Sequence, residues 1–325
     1  MTGLSDSFQR PINYLRISVT DRCNLRCFYC MPEEGVPLLP QEHLLTYEEI
    51  ARVAAAAVEL GISKLRLTGG EPLVRAGLVD LVSMLSKIPG LDDLSLTTNG
   101  LLLADIAPAL KRAGLRRVNV SLDTFNPQRF RRITGGEDGL EAALKGIEAA
   151  GEVGLNPVKV NTVVIPGVND DELLAFGQRS VEGWHVRFIE LMPFGQAGDL
   201  PVLSVSRMVA RLEEAFGPLT QAVNRGGGPA RYFRLPGARG TIGFISPVSQ
   251  HFCFACNRLR LTAEGKLRPC LLNETEVDLR SALRAGASAE ELKGIIRQAV
   301  ARKPLKHRLE EHRLPDVKCM ARLGG

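Results

Sequence analysis

Three cysteines within eight residues carry the most specific chemistry in the sequence. Cys23, Cys27 and Cys30 form a C-x3-C-x2-C run at the end of a predicted strand. Thiolates at this spacing hold zinc or an iron–sulfur cluster. Structural zinc sites usually take their cysteines in two pairs, and this run has no fourth cysteine nearby. A four-iron cluster normally takes four thiolates, so three cysteines leave one iron open to a ligand that is not protein.

A second group of three cysteines lies in the last third of the chain. Cys253, Cys256 and Cys270 form a C-x2-C-x13-C pattern, which lacks the second C-x2-C pair that a zinc ribbon needs. Between these cysteines, Arg258 and Arg260 fall on one face of a predicted strand. A guanidinium pair beside a metal site suits phosphate, although a solvated surface strand is the alternative interpretation.

The composition excludes several classes of protein. The 325 residues are 45% hydrophobic and 24% charged, as in an ordinary globular protein. A net charge of +5 suits an anionic ligand but does not by itself predict nucleic-acid binding, and an aromatic content of 5% argues against a base-stacking binder. Residues 1–11 lack a secretory signal, no apolar run reaches the length of a membrane span, and the clustered cysteines are typical of a reducing compartment. We therefore expect a cytoplasmic protein with no membrane contact.

Strand-like and helix-like segments alternate over the first two-thirds of the chain. Strands are predicted over Leu15–Thr20, Lys64–Thr68, Leu94–Thr98, Arg117–Leu122, Val158–Val164 and Val186–Glu190. Helices are predicted over Tyr47–Leu60, Leu78–Lys87, Asp105–Ala113, Gly139–Glu152 and Asp171–Val181, the first with Thr46 and Glu49 as a capping box. Repeated strand–helix units predict a parallel sheet with right-handed crossovers.

The predicted strands have one apolar and one polar face. Alternation places Leu15, Ile17 and Val19 on one side, and Arg16, Ser18 and Thr20 on the other. The later strands repeat the pattern, with polar residues that include Arg66, Thr97, Ser121, Lys159 and Arg187. Burying so many polar groups without partners would be costly, so the pattern favours an incomplete barrel around a large anionic ligand. A doubly wound sheet with one solvent-exposed face is the alternative.

A change of character near Gly217–Pro229 predicts two domains, residues 1–220 and 221–325. The segment Asn224–Pro229 reads as a turn or flexible loop. Beyond it, short strands are predicted over Arg231–Leu235, Thr241–Ile245, Arg258–Thr262 and Lys266–Pro269, and helices over Glu276–Ala285 and Ala289–Arg302.

The first cysteine run resembles the signature of the radical S-adenosylmethionine (radical SAM) superfamily. Tyr29 supplies the aromatic residue before the third cysteine, and Gly69-Gly70-Glu71-Pro72 follows one strand–helix unit later. Alone, that segment would be an ordinary strand-to-helix turn, and Met192 would be core packing. The resemblance implies a partial TIM-like barrel of about six parallel βα units. It also implies that Tyr29, Gly70, Ser121 and Met192 contact SAM.

Together with the F-C-x-x-C-N-R-x-R-L segment, the sequence resembles the GTP 3′,8-cyclase family of molybdenum-cofactor biosynthesis over nearly its whole length. The resemblance implies two [4Fe–4S] clusters, the second in the C-terminal extension, and conversion of GTP to 3′,8-cyclo-7,8-dihydro-GTP through hydrogen abstraction from C3′ of the ribose. The six cysteines would hold the clusters and serve catalysis. The predicted GTP contacts are Arg16, Arg66, Thr97, Lys159, Arg258 and Arg260, with Lys64 and Arg187 next.

The same resemblance implies partners: an external one-electron reductant or electron-donor protein, and cyclic pyranopterin monophosphate synthase as acceptor of the product. A homodimer is compatible with the sequence, and no nucleic-acid partner is expected. Whether Cys319 is a ligand, and whether the terminal Gly324-Gly325 enters the active site, stays open. A peptide-modifying radical SAM maturase and a zinc-stabilised nucleic-acid-binding module are the competing interpretations.

Overall fold

The computed structural model describes residues 3–32, 34–136, 138–194, 197–198, 200–223, 227–307, 309 and 320. Its strands are β1 (Tyr14–Ser18), β2 (Lys64–Thr68), β3 (Asp93–Thr98), β4 (Arg117–Ser121), β5 (Lys159–Val164), β6 (His185–Glu190), β7 (Thr220–Ala222), β8 (Arg231–Arg234), β9 (Thr241–Ile245), β10 (Arg258–Leu261), β11 (Lys266–Arg268) and β12 (Val277–Asp278). Its helices are α1 (Tyr47–Glu59), α2 (Leu78–Ser86), α3 (Leu103–Arg112), α4 (Pro127–Thr134), α5 (Leu140–Glu152), α6 (Leu173–Glu182), α7 (Val205–Phe216), α8 (Arg280–Arg284) and α9 (Ala289–Ala301).

All of these strands belong to one sheet in the order β12-β11-β10-β1-β2-β3-β4-β5-β6-β9-β8-β7. Strands β1 to β6 are parallel neighbours, which confirms the six predicted βα units. The C-terminal part adds β10 in parallel beside β1 and β9 in parallel beside β6. Antiparallel strands then extend both ends, and no pairing between described strands joins β12 to β7. The predicted incomplete barrel is therefore confirmed.

The apolar face of the parallel strands packs against the helices. Leu15, Ile17 and Val19 of the first strand and its extension are fully buried in one large hydrophobic core. The apolar positions of α1, such as Ile50 and Val53, enter the same core. Thr46 and Glu49 form the predicted capping box, so α1 begins where the sequence indicates.

The C-terminal segment differs from its prediction in one element. A helix was expected over Glu276–Ala285, but Val277–Asp278 form strand β12, and α8 begins only at Arg280. Val277 is buried and pairs with Leu267, while the Asp278 carboxylate accepts hydrogen bonds from the backbone N–H and hydroxyl of Ser281. Pairing with β11 therefore outweighs the helical propensity of the first residues of this segment.

Two helices and a short strand were not predicted. Asn126 caps α4 by accepting from the N–H groups of Gln128 and Arg129, and α7 follows Ser204. Strand β7 lies in the predicted boundary region Gly217–Pro229, just before the expected loop Asn224–Pro229, of which residues 224–226 fall outside the described part of the chain. Strands β9 and β10 belong to the same sheet as β1 to β6, so the sheet is continuous across the predicted domain boundary. The division into two domains stays a prediction.

Within the described residues, no helix combines the length and the hydropathy that crossing a bilayer would require.

Candidate active site

One cavity of about 350 Å³ is enclosed by the polar face of the parallel strands and by both cysteine groups. Every residue that the sequence predicts for the site lines this cavity. These are Cys23, Cys27, Cys30, Cys253, Cys256, Cys270, Tyr29, Gly70, Ser121, Met192, Arg16, Arg66, Thr97, Lys159, Arg258 and Arg260. Of the two further cations, Arg187 lines the cavity and Lys64 is not among its lining residues. The fold thus brings the predicted residues together, while their individual roles stay predictions.

The loop of the first cysteine group is fixed by the turn after β2. The N–H of Gly70 donates to the carbonyl of Thr20 at 2.8 Å, and the N–H of Glu71 donates to the carbonyl of Arg22 at 2.8 Å. A Cβ atom on Gly70 would lie 2.3 Å from the Arg22 carbonyl oxygen. Glycine is therefore required at position 70 by close backbone packing, whether or not it also contacts a ligand.

The cations of the cavity are held by neighbouring side chains. The Arg66 guanidinium donates from Nε to the Tyr14 hydroxyl and from Nη1 to the Thr97 hydroxyl at 3.1 Å. Tyr14 is 3% exposed, and burial acts to raise its pKa, but Arg66 and Arg16 outweigh burial and lower it to about 8. Arg66 is thus oriented before any ligand binds, and Tyr14 is a site residue that the sequence analysis missed.

The part of the cavity around Arg187 and Lys159 suits an anionic ligand. Arg187 is 6% exposed, and its Nε and Nη2 atoms have no hydrogen-bond partner among the described residues. Burial, together with the charges of Arg187, Arg117 and Arg66, lowers the pKa of Lys159 to about 6. Buried cations this close to one another are costly without a counterion, so the arrangement favours a polyanionic ligand.

Space for Arg187 is provided by a glycine on β9. A Cβ atom on Gly243 would lie 2.9 Å from Arg187 Cγ and 2.9 Å from the Tyr232 ring. Tyr232 in turn contacts Lys159, whose Nζ donates to the Tyr232 hydroxyl at 3.2 Å and lies 5.0 Å from the centre of the ring. The C-terminal strands therefore shape the part of the cavity around Arg187 and Lys159.

In the second cysteine group, Cys253 and Cys256 lie on one 3-10 turn and its C-cap, and Cys270 follows strand β11. The N–H of Cys256 donates to the carbonyl of Cys253 at 3.2 Å within the turn Cys253–Ala255. Burial acts to raise the pKa of Cys256, but the charges of Arg258 and Lys303 outweigh it and lower the pKa to about 6. Cys256 is therefore prepared to act as a thiolate ligand.

Comparison with known proteins assigns the family. Residues 17–178 match the family described as the Radical SAM superfamily, and residues 184–309 match the family described as Molybdenum Cofactor Synthesis C. The chain is 51% identical to a "GTP 3',8-cyclase" of Pelotomaculum thermopropionicum, covering 99% of this chain and 100% of that protein. It is also 51% identical to a "GTP 3',8-cyclase" of Moorella thermoacetica, with 99% and 100% covered. The chain belongs to the GTP 3′,8-cyclase family.

A solved structure supports the fold assignment. Streptococcus suis SuiB bound to S-adenosylmethionine superposes with a TM-score of 0.62 at 15% identity, covering 88% of this chain and 68% of that chain. At that identity the likeness concerns the fold alone, and it agrees with the partial barrel described above.

In this member of the GTP 3′,8-cyclase family, the cysteine sets fit iron–sulfur clusters. The pKa of Cys27 is raised by burial, by Cys30, by Asp123 and by Cys23, so the three sulfurs of the first group lie within electrostatic range of one another. The pKa of Cys253 is likewise raised by burial and by the neighbouring Cys270 and Cys256. A metal cluster replaces the thiol protons and removes the repulsion between thiolates. Two groups of three soft donors that line one cavity therefore fit two such clusters.

Tyr29 is oriented by an acidic residue of the cavity. Its hydroxyl donates to Asp123 Oδ2 at 2.6 Å, and the N–H of Val163 donates to Asp123 Oδ1 at 2.8 Å. Burial raises the pKa of Asp123 to about 6. Asp123 falls on the polar face two residues after Ser121, and that spacing was the only signal for it in the sequence.

Met320 connects the two cysteine groups. Its N–H donates to the carbonyl of Cys30 at 3.1 Å, and its side chain packs with Phe194 and Leu272 in a cluster that includes Cys30, Cys270 and Met192. Met192 therefore has the packing role foreseen as its alternative, while it also lines the cavity. Cys319 and Gly324-Gly325 lie outside the described residues.

Proposed function

We propose that the protein is a GTP 3′,8-cyclase that converts GTP to 3′,8-cyclo-7,8-dihydro-GTP, the first step of molybdenum-cofactor biosynthesis. The observation that carries the proposal is the enclosure of one cationic cavity by two groups of three cysteines. Relatives that bear this name, at about half identity over the full length, support it. When bound, SAM and the two [4Fe–4S] clusters supply the one-electron chemistry, each cluster with an iron that no cysteine occupies.

The N-terminal residues bind and orient SAM in this proposal. Cys23, Cys27 and Cys30 hold the first cluster, and Tyr29, Gly70, Ser121 and Met192 contact SAM. The hydrogen bond from Tyr29 to Asp123 fixes the aromatic ring beside Cys27 and Cys30 before the ligand binds. This division assigns SAM to residues 1–220, and the second cluster with the Arg258 and Arg260 pair to residues 221–325.

The second cysteine group and the cations of the cavity bind GTP in this proposal. Cys253, Cys256 and Cys270 hold the second cluster next to the base, and the proposed GTP contacts are Arg16, Arg66, Thr97, Lys159, Arg258 and Arg260, with Arg187 beside them. Guanidinium groups on rigid strands bind triphosphate oxygens in fixed directions, which holds the ribose in one orientation toward SAM. Enclosure by the sheet also excludes water from the reacting atoms.

The remaining partners follow from this activity. We infer an external one-electron reductant or electron-donor protein, cyclic pyranopterin monophosphate synthase as acceptor of the product, and a cytoplasmic location suited to clustered thiols. A homodimer is compatible with the proposal.

Anaerobic incubation of the reconstituted protein with GTP, SAM and dithionite, followed by mass analysis of nucleotides, tests the activity. We expect 5′-deoxyadenosine and a cyclised nucleotide of the mass of GTP. Cys27→Ala should abolish 5′-deoxyadenosine formation. Cys256→Ala should reduce cyclisation more strongly than SAM cleavage. Unchanged cyclic product in Cys256→Ala, or no product in the unmodified protein, would contradict the proposal.

A further inference from the structure

A buried lysine lies directly behind the second cysteine group. Lys303 follows α9, is 5% exposed and does not line the cavity. Its Nζ donates to the carbonyl of Arg258 at 2.8 Å and to the carbonyl of Pro269 at 2.5 Å. An ammonium group has three N–H donors, and two of them are used on the segments that carry Cys256 and Cys270.

Burial lowers the pKa of Lys303, and the neighbours that favour its charged form are sulfurs rather than carboxylates. Among the residues that the structure describes, no Asp or Glu pairs with Lys303, and the nearby groups that favour its charged form are Cys256 and Cys270. A buried ammonium is costly unless an anion compensates it. Thiolates that hold a cluster would supply that anion.

A second buried cation anchors the remaining cysteine. Arg10 is 6% exposed and donates from Nη1 to the carbonyl of Cys253 at 2.6 Å and to that of Leu305 at 2.8 Å. Its Nη2 donates to the carbonyl of Pro304 at 2.7 Å, while Nε pairs with Asp6 at 2.6 Å. The segment 303–305 therefore joins both cations, but only Arg10 has a carboxylate partner.

We propose that Lys303 is a positioning residue that holds the segments of Cys256 and Cys270 together and raises the reduction potential of the cluster they bind. Arg10 anchors Cys253 to the same segment without adding net charge, because Asp6 compensates it. A positive charge next to the cluster stabilises its more negative, reduced form. This inference rests on the proposed function, because it requires a cluster at the second cysteine group.

An EPR-monitored redox titration of the second cluster tests the proposal. The full chain carries Cys23, Cys27 and Cys30 substituted by Ala, so that the second group alone gives a signal. In this background we compare Lys303→Met, Lys303→Arg and Lys293→Met. Lys293 is the matched control, because it lies on α9 and pairs with Glu59 and Glu290, away from the cysteines.

We expect Lys303→Met to lower the reduction potential of the second cluster. The shift toward the oxidised form should be about tenfold, which is about 59 mV for one electron. The reduction potential of Lys303→Arg should stay near that of the parent protein, and Lys293→Met should leave the potential unchanged. Loss of iron from Lys303→Met alone would also support the positioning role. Equal potentials in Lys303→Met and Lys293→Met, or loss of iron from both Lys303 variants, would overturn the charge role. No cluster signal in the parent would instead overturn the proposed function.

Discussion

Lys159 connects the charge of the cavity to the pH dependence of ligand binding. Its pKa is lowered to about 6 by burial and by neighbouring arginines, so the amine is mostly neutral at pH 7.5 in the ligand-free protein. A bound triphosphate favours the ammonium form and raises that pKa. Binding therefore takes up a proton, and GTP affinity should fall as the pH rises from 6 toward the pKa of the complex.

Calorimetry of GTP binding at pH 7.5, in two buffers with different ionisation enthalpies, measures this proton uptake. We expect up to one proton for the unmodified protein. Lys159→Arg keeps a permanent charge and should lose the uptake while it still binds GTP. The same proton uptake in both proteins would show that Lys159 is not the group that titrates.

The Tyr14 hydroxyl orients Arg66, and its removal should weaken nucleotide binding. Tyr14→Phe keeps the ring and removes the acceptor of Arg66 Nε. Because hydrogen bonds to charged groups contribute about 1.5–3 kcal/mol, GTP affinity should fall by about tenfold or more. Tyr47→Phe is the matched control, because the Tyr47 hydroxyl donates to the Ala76 carbonyl away from the cavity. Equal GTP affinities of the two variants in equilibrium binding would refute the role of Tyr14.

At the scale of elements, the turn after β2 determines the shape of the first cysteine loop. Gly70→Ala places a Cβ atom against the Arg22 carbonyl, and such overpacking costs about 1–3 kcal/mol. We expect the variant to lose iron from the first cysteine group and to keep the second. Gly151→Ala is the control, since a Cβ atom at Gly151 in α5 meets no atom within 4 Å. Iron analysis that finds both clusters complete in Gly70→Ala would contradict this view.

Local patterns predicted the elements more successfully than their partners. Period-two alternation identified the six strands and their polar face, because one face must enter the core and the other the cavity. The placement of β9 beside β6 and of β10 beside β1 depends on contacts far apart in the chain, which no local pattern encodes. The role of Lys303 could not be predicted for the same reason. A lysine at the end of a helix is usually solvated, and only its contacts with Arg258 and Pro269 show that this one is buried.

At the scale of the whole molecule, the C-terminal third supplies both neighbours of the N-terminal six-stranded sheet. A fragment of residues 1–220 would lose β10 from the edge at β1 and β9 from the edge at β6, which exposes two parallel edges and part of the core. Parallel sheets are stable when both faces and edges are covered, and exposed edges promote aggregation. We therefore expect the fragment to aggregate or to lack a cooperative thermal transition in near-ultraviolet circular dichroism, whereas the full chain unfolds cooperatively. A soluble fragment with a cooperative transition would instead establish residues 1–220 as an autonomous domain, as the sequence division predicts.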